Sequence, residues 1–535
     1  MVDQLKDGRT DNLYGKTKLF AAVAFLFSTQ LTAEISVSAN LFLGRSFSAN
    51  IAREMLMTGP INTFNDGTIN GFFAIDAVYQ RAWNQNQSQG IGAYPFWSNF
   101  NSMTVGNSTG NANLDAYQFG LGDVSTVGMI NLNPIIYQDG ADFMFYVRSS
   151  QYGHSLFAKL KSAVTAMVVY PELTESKKVT PQAYAPGALT NLNNTGSSTT
   201  TPDPSNSILQ AFAGATGGQT AQGDFRPMEY GLINGKLSTG AHMSDIEMTA
   251  GYQYNCPDTD NMFSIGARIT APTGTKPQGV YILEPINGRG GNWGVGFYLA
   301  GTYEFWHSTD NKLQLNFMSS GIHLCSAQVN RSYDLIANGH GSKYLLVADY
   351  QGGSYQNSIQ NLVNLSTLQS QSSFGFEGDA ALALSFTSGG FSADLGYNAW
   401  GRTKENLTIV ENFNTQRYAI LGRQAISNAT NGALLNLCQP TATINSSVAA
   451  QTAVGNGAVD ATIASNRISG NESFDTTITA QYAAVTSKLF TKIGYNWKEC
   501  ECCPYLNLMG ECEWSNISNN ALPQWSLSLI FGVSL

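Results

Sequence analysis

Apolar and polar residues alternate one by one along much of this chain, most cleanly at its end. From Trp525 every second residue is apolar: Leu527, Leu529, Phe531, Val533 and Leu535. Between them stand Gln524, Ser526, Ser528, Gly532 and Ser534, interrupted only by Ile530. A strand sends successive side chains to opposite faces, so this segment has one oily and one wet face. Its length suits a tilted membrane-crossing strand of roughly 9–11 residues. A strand of a soluble sandwich has the same alternation, so the rest of the chain must decide.

The period recurs in about 14 segments, near the even count of single-chain membrane barrels. They are 73–83, 117–121, 129–137, 141–148, 154–170, 246–254, 263–269, 293–305, 313–317, 374–386, 391–397, 478–482, 489–497 and 525–535. Gln138-Asp139-Gly140 reads as a hairpin turn between the third and fourth. One stretch has the helical period. Ser48 or Asn50 can cap a helix within Ser46–Thr58, Ile51, Met55 and Leu56 share a side, and Gly59-Pro60 stops it. Ahead of a barrel, such a helix within 34–69 is a periplasmic lead or a plug; an ordinary packing helix has the same pattern. The fold class expected is therefore all-β: a single closed antiparallel transmembrane β-barrel of about 14 strands (12–16 as a range) over 70–535, with a short N-terminal helical segment.

With the N-terminus on the periplasmic side, the breaks at 84–114, 171–243, 271–291, 326–372, 401–473 and 498–522 all fall outside. The connections near 123–128, 149–153, 255–260, 307–310, 387–390 and 486–488 fall on the periplasmic side. Long loops outside and short turns inside is the asymmetry of such barrels. Aromatic residues on the apolar rows give a second check. Trp83, Trp293, Trp497 and Trp525 are placed at the outer strand ends, and Phe73, Phe263, Phe305, Phe386 and Phe391 at the opposite ends. Two girdles at the lipid–water boundary are the expectation.

Composition narrows the picture. Only 12% of residues are charged while 11% are aromatic, and there are 53 glycines. That suits strands joined by neutral polar loops more than a disordered chain. A net charge of −9 without a basic run excludes nucleic acid as a partner. Leu19–Phe27 is a short apolar run after Lys16 and Lys18, with Leu31-Thr32-Ala33 behind it. It reads as a secretory signal peptide over 1–33, exporting the chain past the inner membrane. A buried helix is the alternative.

The wet rows carry both signs: Asp76, Asp245, Glu247, Glu304, Glu377, Asp379, Asp394 and Asp475 against Arg148, Lys159, Lys161, Arg268, Lys312, Lys488 and Lys492. These are the candidate lumen-lining residues. Charges of both signs among Ser, Thr, Asn and Gln imply water or a salt-bridged plug, or pairs that brace the wall. A wet lumen passes small polar solutes by passive diffusion. No catalytic residue, metal site or cofactor is expected. There is no His-Glu-x-x-His, phosphate loop or G-x-S-x-G, and the five histidines are scattered.

The closing alternation resembles the terminal strand of Gram-negative outer-membrane β-barrels of the porin type, although such strands usually end in Phe or Trp and this one ends in Leu535. The resemblance implies an outer-membrane location, the barrel-assembly machinery, lipid and lipopolysaccharide as partners, and room for a homo-oligomer. About 14 strands behind a helix is also similar in layout to the long-chain fatty-acid transporter family. That likeness rests on no motif. It implies a carrier for hydrophobic compounds with an apolar lumen pocket, for which the inward rows read as too polar. A third reading is a structural or adhesive surface barrel. Cys500, Cys502, Cys503 and Cys512 invite comparison with the disulfide-linked chlamydial major porin. Disulfides suit an oxidising compartment, whereas C-x-C-C-x8-C departs from the paired spacing of zinc sites. Free or intermolecular thiols are the other reading.

Overall fold

The computed structural model describes residues 41–534 apart from 59–68, 84–90, 99, 109–110, 185–188, 190–204, 222, 257–258, 352–353, 415–416, 428–433, 447–466, 501 and 516–520. The expected signal peptide lies outside the described residues.

Twelve strands form a ring. In chain order they are β1 (Ile69–Ala82), β2 (Ile135–Gln151), β3 (His154–Tyr170), β4 (Ile246–Asn255), β5 (Met262–Ala271), β6 (Gly294–His307), β7 (Asn311–Ser332), β8 (Thr367–Ser388), β9 (Phe391–Arg402), β10 (Ala484–Asn496), β11 (Tyr505–Ser515) and β12 (Gln524–Ser534). Each pairs antiparallel with its neighbours, and β12 closes on β1 from Phe72↔Ser534 to Ala82↔Gln524. Closure satisfies backbone groups that an open sheet would leave at its edges, which is what allows a sheet to cross lipid. Three short strands of the same sheet lie outside the ring: Leu237–Ser238 and His242–Met243 on β3, and Glu405–Ile409 on β8.

The two faces separate as the alternation requires. On β12, Trp525, Leu527, Leu529 and Phe531 are exposed while Gln524, Ser526, Ser528 and Ile530 are buried. Exposed Leu156, Leu160, Ile265, Ile269, Leu395, Leu489 and Ile493 continue the outer belt. Short turns, such as Tyr152–Gly153 and Gly389–Gly390, sit at one end with Ile69 and Ser534. The long connections gather at the other. Strand number, end asymmetry and apolar outer face give the chain the architecture of an outer-membrane β-barrel.

The count corrects the expectation of about 14 strands. Tyr117–Leu121 does not cross: Asp115 caps a 3-10 helix, Ala116–Phe119, that Gly120 ends in a left-handed conformation. Gln138-Asp139-Gly140 is no turn but the middle of β2. Gly140 has no positive φ; its bare Cα lets the Val164 carbonyl of β3 approach, and an added Cβ would stand 2.3 Å from it. Gly128–Leu132, read as part of a hairpin, joins a small sheet with Ser102–Gly106 and Leu173–Lys177. Ile478 and Thr479 belong to a helical turn, Thr476–Thr479, capped by Asp475. Conversely, β11 occupies part of the expected 498–522 loop, and 486–488 lies within β10.

The long connections form a structured cap. Two small sheets and several helical turns share one hydrophobic core that includes Phe119, Leu121, Ile130, Phe212, Leu283, Tyr344 and Leu345. Strands β7 and β8 continue past their neighbours with 22 residues each, pairing through Arg331↔Leu368, and so carry the ring into the cap.

Candidate functional site

The interior of the ring is occupied by residues 41–58. The segment descends from the cap, where the Tyr94 hydroxyl and the Gln481 amide donate to the Leu41 carbonyl (2.6 and 3.1 Å). It ends near the turn side, where the Tyr505 hydroxyl donates to the Met57 carbonyl at 2.8 Å. Its one helix, α1 (Ile51–Met57), starts at Asn50, whose side chain accepts from the Arg53 amide at 3.2 Å. The helix is shorter than the expected Ser46–Thr58. Ahead of Asn50 the backbone makes tighter turns, with Ala49 N–H on the Ser46 carbonyl and Asn50 N–H on that of Ser48. All seven residues of α1 are buried, polar ones included, because wall surrounds the helix on every side.

Charged side chains locate the segment. Arg45 meets Asp379 at 2.5 Å and Glu513 at 3.2 Å. Arg53 reaches Asp142 at 3.2 Å and Glu511 at 4.0 Å. Glu54, the next residue, is held by Lys159, by Arg268 at 2.5 Å and by Lys161 at 3.7 Å. Wall charges also pair with one another: Lys488 with Glu511 (3.1 Å) and Glu513 (3.6 Å), and Lys492 with Asp394 (2.5 Å). Arg289 enters from a loop and meets Glu247 and Glu377, each at 2.8 Å, and Asp245 at 3.8 Å. Burial alone would lower the Arg289 pKa, but these three carboxylates raise it above the ordinary arginine value. Buried pairs gain little net stability over apolar packing, yet breaking one costs roughly 3–5 kcal/mol. The ionic layer therefore acts chiefly by fixing one position for the segment.

Toward the turn side an apolar collar grips α1. Phe72, Met144, Tyr146, Phe157, Tyr298, Met318, Phe490, Tyr505 and Met509 surround Ile51, Met55, Leu56 and Met57. Two wall glycines make room for aromatic rings: a Cβ on Gly396 would meet Phe490 at 2.2 Å, and one on Gly532 would meet Tyr505 at 2.2 Å. Below the collar a vestibule of about 150 Å³ opens at the turn side. Met55, Phe157 and Tyr298 line it with Gln253, Thr302, Gln314, Asn316, Ser385 and Asn507.

Among the candidate lumen residues, Asp76, Arg148, Lys159, Lys161, Asp245, Glu247, Arg268, Glu377, Asp379, Asp394, Lys488 and Lys492 are buried inside. Glu304 and Lys312 lie at the turn rim, Glu304 with His307 and Lys312 with Asp260. Asp475 is a correction: it caps a turn in the cap, accepting from the Thr477 and Ile478 amides. Arg45, Arg53 and Glu54 were not among the candidates, nor were Asp142, Arg289, Glu511 and Glu513. The last two were legible: Leu506, Leu508, Cys512 and Trp514 alternate with Asn507, Glu511 and Glu513, but the cysteines read as a loop.

At the ring surface Trp83, Trp293 and Trp525 stand exposed at the loop end, and the Trp83 indole donates to the Glu513 carbonyl at 3.0 Å. Phe263, Phe305, Phe386 and Phe391 stand exposed at the turn end. Trp497 departs from the expected outer position. It follows β10 at the turn end, because the short connection it begins leads into the unexpected β11. Cys500, Cys502 and Cys503 lie in that turn, whereas Cys512 points outward from β11 opposite Trp525. Cys503 and Cys512 are separated along the strand by roughly 25–30 Å at 3.3 Å per residue. Cys512 is thus out of disulfide range of the other three, since a bridge needs Cα atoms within about 7 Å.

No protein-family profile matches the chain, and no curated protein matches it. Among solved structures it is similar to an outer-membrane channel from Pseudomonas putida F1, at 8% identity over 88% of this chain and 96% of that one, with a TM-score of 0.36. It is similar to the Pseudomonas putida toluene transporter TodX at 8% identity, 94% and 98% coverage and a TM-score of 0.29. The outer membrane protein OprD from Pseudomonas aeruginosa gives 9% identity, 87% and 95% coverage and a TM-score of 0.19. Likenesses this weak assign no function.

Proposed function

We propose that this protein resides in an outer membrane and passes small polar solutes through its lumen when residues 41–58 shift away from the wall. The observation that carries this reading is the non-covalent hold on a separate segment inside a charged wall, with an open vestibule of mixed polar and apolar lining on the side where β1 begins. A permanently open pore does not fit. Exposing Ile51, Met55, Leu56 and Met57 to water costs roughly 6–12 kcal/mol at about 1.5–3 kcal/mol per side chain. At 1.4 kcal/mol per tenfold, an unaided displaced state is populated far below one part in a thousand.

The apolar collar favours a second reading, a carrier for hydrophobic compounds, which needs such a surface inside the lumen. The folded cap suits the structural barrel, with the exposed cysteines of the 497–504 turn as sites of cross-linking. Planar-bilayer recording of refolded protein separates these readings. The channel reading expects rare openings that become frequent when Arg45 and Arg53 are both replaced by Ala. Silence in both proteins would refute it. Ligand density along the collar after incubation with a hydrophobic probe would favour the carrier, and Cys-dependent multimers on non-reducing gels the structural barrel.

A further inference from the structure

Closing a lumen requires bulk, and the apolar side chains of α1 supply it. Glu54 does something else. Three buried cations converge on its carboxylate from two neighbouring parts of the wall: Lys159 and Lys161 on β3, and Arg268 on β5. The arrangement is further organised. Lys159 Nζ lies 3.8 Å from the Tyr298 ring centroid and the Arg268 guanidinium carbon 5.1 Å from it. Arg268 Nε donates to Thr249 Oγ1 at 3.1 Å, and Lys161 Nζ donates to the Ser48 carbonyl at 2.6 Å. Among the described residues, the remaining carboxylate in ion-pair range of the three is Glu247, 3.6 Å from Arg268, and Arg289 already engages it at 2.8 Å. Without Glu54 this corner of the wall would hold Lys159, Lys161 and Arg268 against the one carboxylate of Glu247, which Arg289 shares. Such a local surplus of buried positive charge is costly unless an anion meets it. A carboxylate belongs here, and the chain provides one from its own lumen segment.

The place borders the vestibule through shared neighbours. Tyr298, under Lys159 and Arg268, also lines that space, as does Met55, the residue next to Glu54. Building on the gated-lumen reading, we propose that Lys159, Lys161 and Arg268 form a binding site for small carboxylate solutes, which Glu54 fills while the lumen is closed. A carboxylate entering from the turn side competes with Glu54 for the same donors. Its binding removes one of the three ionic attachments of residues 41–58, so the permeating class also loosens the plug.

Acetate is a suitable probe, with chloride at equal ionic strength as the control. In bilayer recordings, acetate is expected to raise the opening frequency of the wild-type protein about 10-fold over chloride. In Glu54→Gln the openings should be frequent in chloride already and gain nothing from acetate. Equal behaviour in the two salts, or a Glu54→Gln protein as quiet as wild type, overturns the proposal while leaving a conducting barrel standing. Binding gives a readout that needs no current. By equilibrium dialysis with labelled acetate, folded Glu54→Ala protein should hold one saturable equivalent that wild type holds at least ~10-fold more weakly. The double variant Glu54→Ala/Arg268→Gln should lose it, with heat-modifiable gel migration confirming that both barrels are folded. No saturable acetate on Glu54→Ala, or equal acetate on the double variant, also overturns it. If binding follows this pattern but no variant conducts, the site stands and the channel reading falls.

Discussion

At mid-height the barrel is filled by Arg45, Arg53 and Glu54 on a segment that the ring surrounds, each matched to charges on the wall. At the loop end it is covered by Phe119, Phe212, Tyr344 and Leu345, whose rings and chains pack against one another with ring centroids 5.0–5.6 Å apart. Apolar packing has no counterpart waiting in solution: separating its surfaces always costs the full transfer to water. Ionic seating is replaceable, because a dissolved ion of the right sign can take one partner's place. Both are buried, but the lumen segment adds the ionic seats of Arg45, Arg53 and Glu54 to its apolar collar, and the proposed solute would compete for one of those seats.

That contrast can be broken most severely at Arg53. Arg53→Ala leaves Asp142 buried without its cation, at a cost of roughly 3–5 kcal/mol. Amide hydrogen exchange over Ile51–Met57 should accelerate by about 10² to 4 × 10³ at 1.4 kcal/mol per decade, while the cap amides stay protected. Unchanged exchange would show that the collar alone holds the segment. Next, Leu345→Ala in the cap core should cost about 2–5 kcal/mol. Limited proteolysis should then cut the long connections while the ring still shows heat-modifiable migration; loss of both together would mean that cap and ring fold as one unit. Smaller is Gly396→Val, where the new side chain must displace the Phe490 ring, for roughly 1–3 kcal/mol of overpacking. Thermal unfolding in detergent should show it, and pairing with Phe490→Leu should recover part of the loss. The smallest effect is expected at Arg417→Ala. Its bidentate pair with Asp349 lies in the cap at 2.6 and 2.7 Å, but Arg417 is 42% exposed. About 0–1 kcal/mol is expected, vanishing in high salt. A loss as large as that of Arg53→Ala would erase the distinction between exposed and enclosed pairs.

What alternates was readable, and what converges was not. Leu527, Leu529 and Phe531 announce a lipid-facing row because the two-residue period is a property of the backbone itself. The wet row of β12 contains Ile530, which breaks the pattern on paper. In space it joins Phe72, Tyr298 and Phe490 in the collar, each from a different strand. One or two such residues per strand leave no periodic trace. The strand holding Glu511 and Glu513 has the period, but the cysteine-rich turn of Cys500, Cys502 and Cys503 directly precedes it and gives the whole stretch the composition of a loop. The cap was hidden for a third reason: Phe212 and Tyr344 lie far apart in sequence within stretches of no regular period, and Phe119 lies in 117–121, where a short alternation belongs to a 3-10 turn and not to a strand.

The chain by itself therefore determined a sheet with one oily face and one wet face and a helix ahead of it, since each follows from neighbours along the backbone. Only the tertiary structure decided that twelve strands close the ring, that the loops condense into a cap, and that Glu54 lies among Lys159, Lys161 and Arg268. Those outcomes depend on how groups distant in sequence share one enclosed space, where a charge without a partner is too costly to persist.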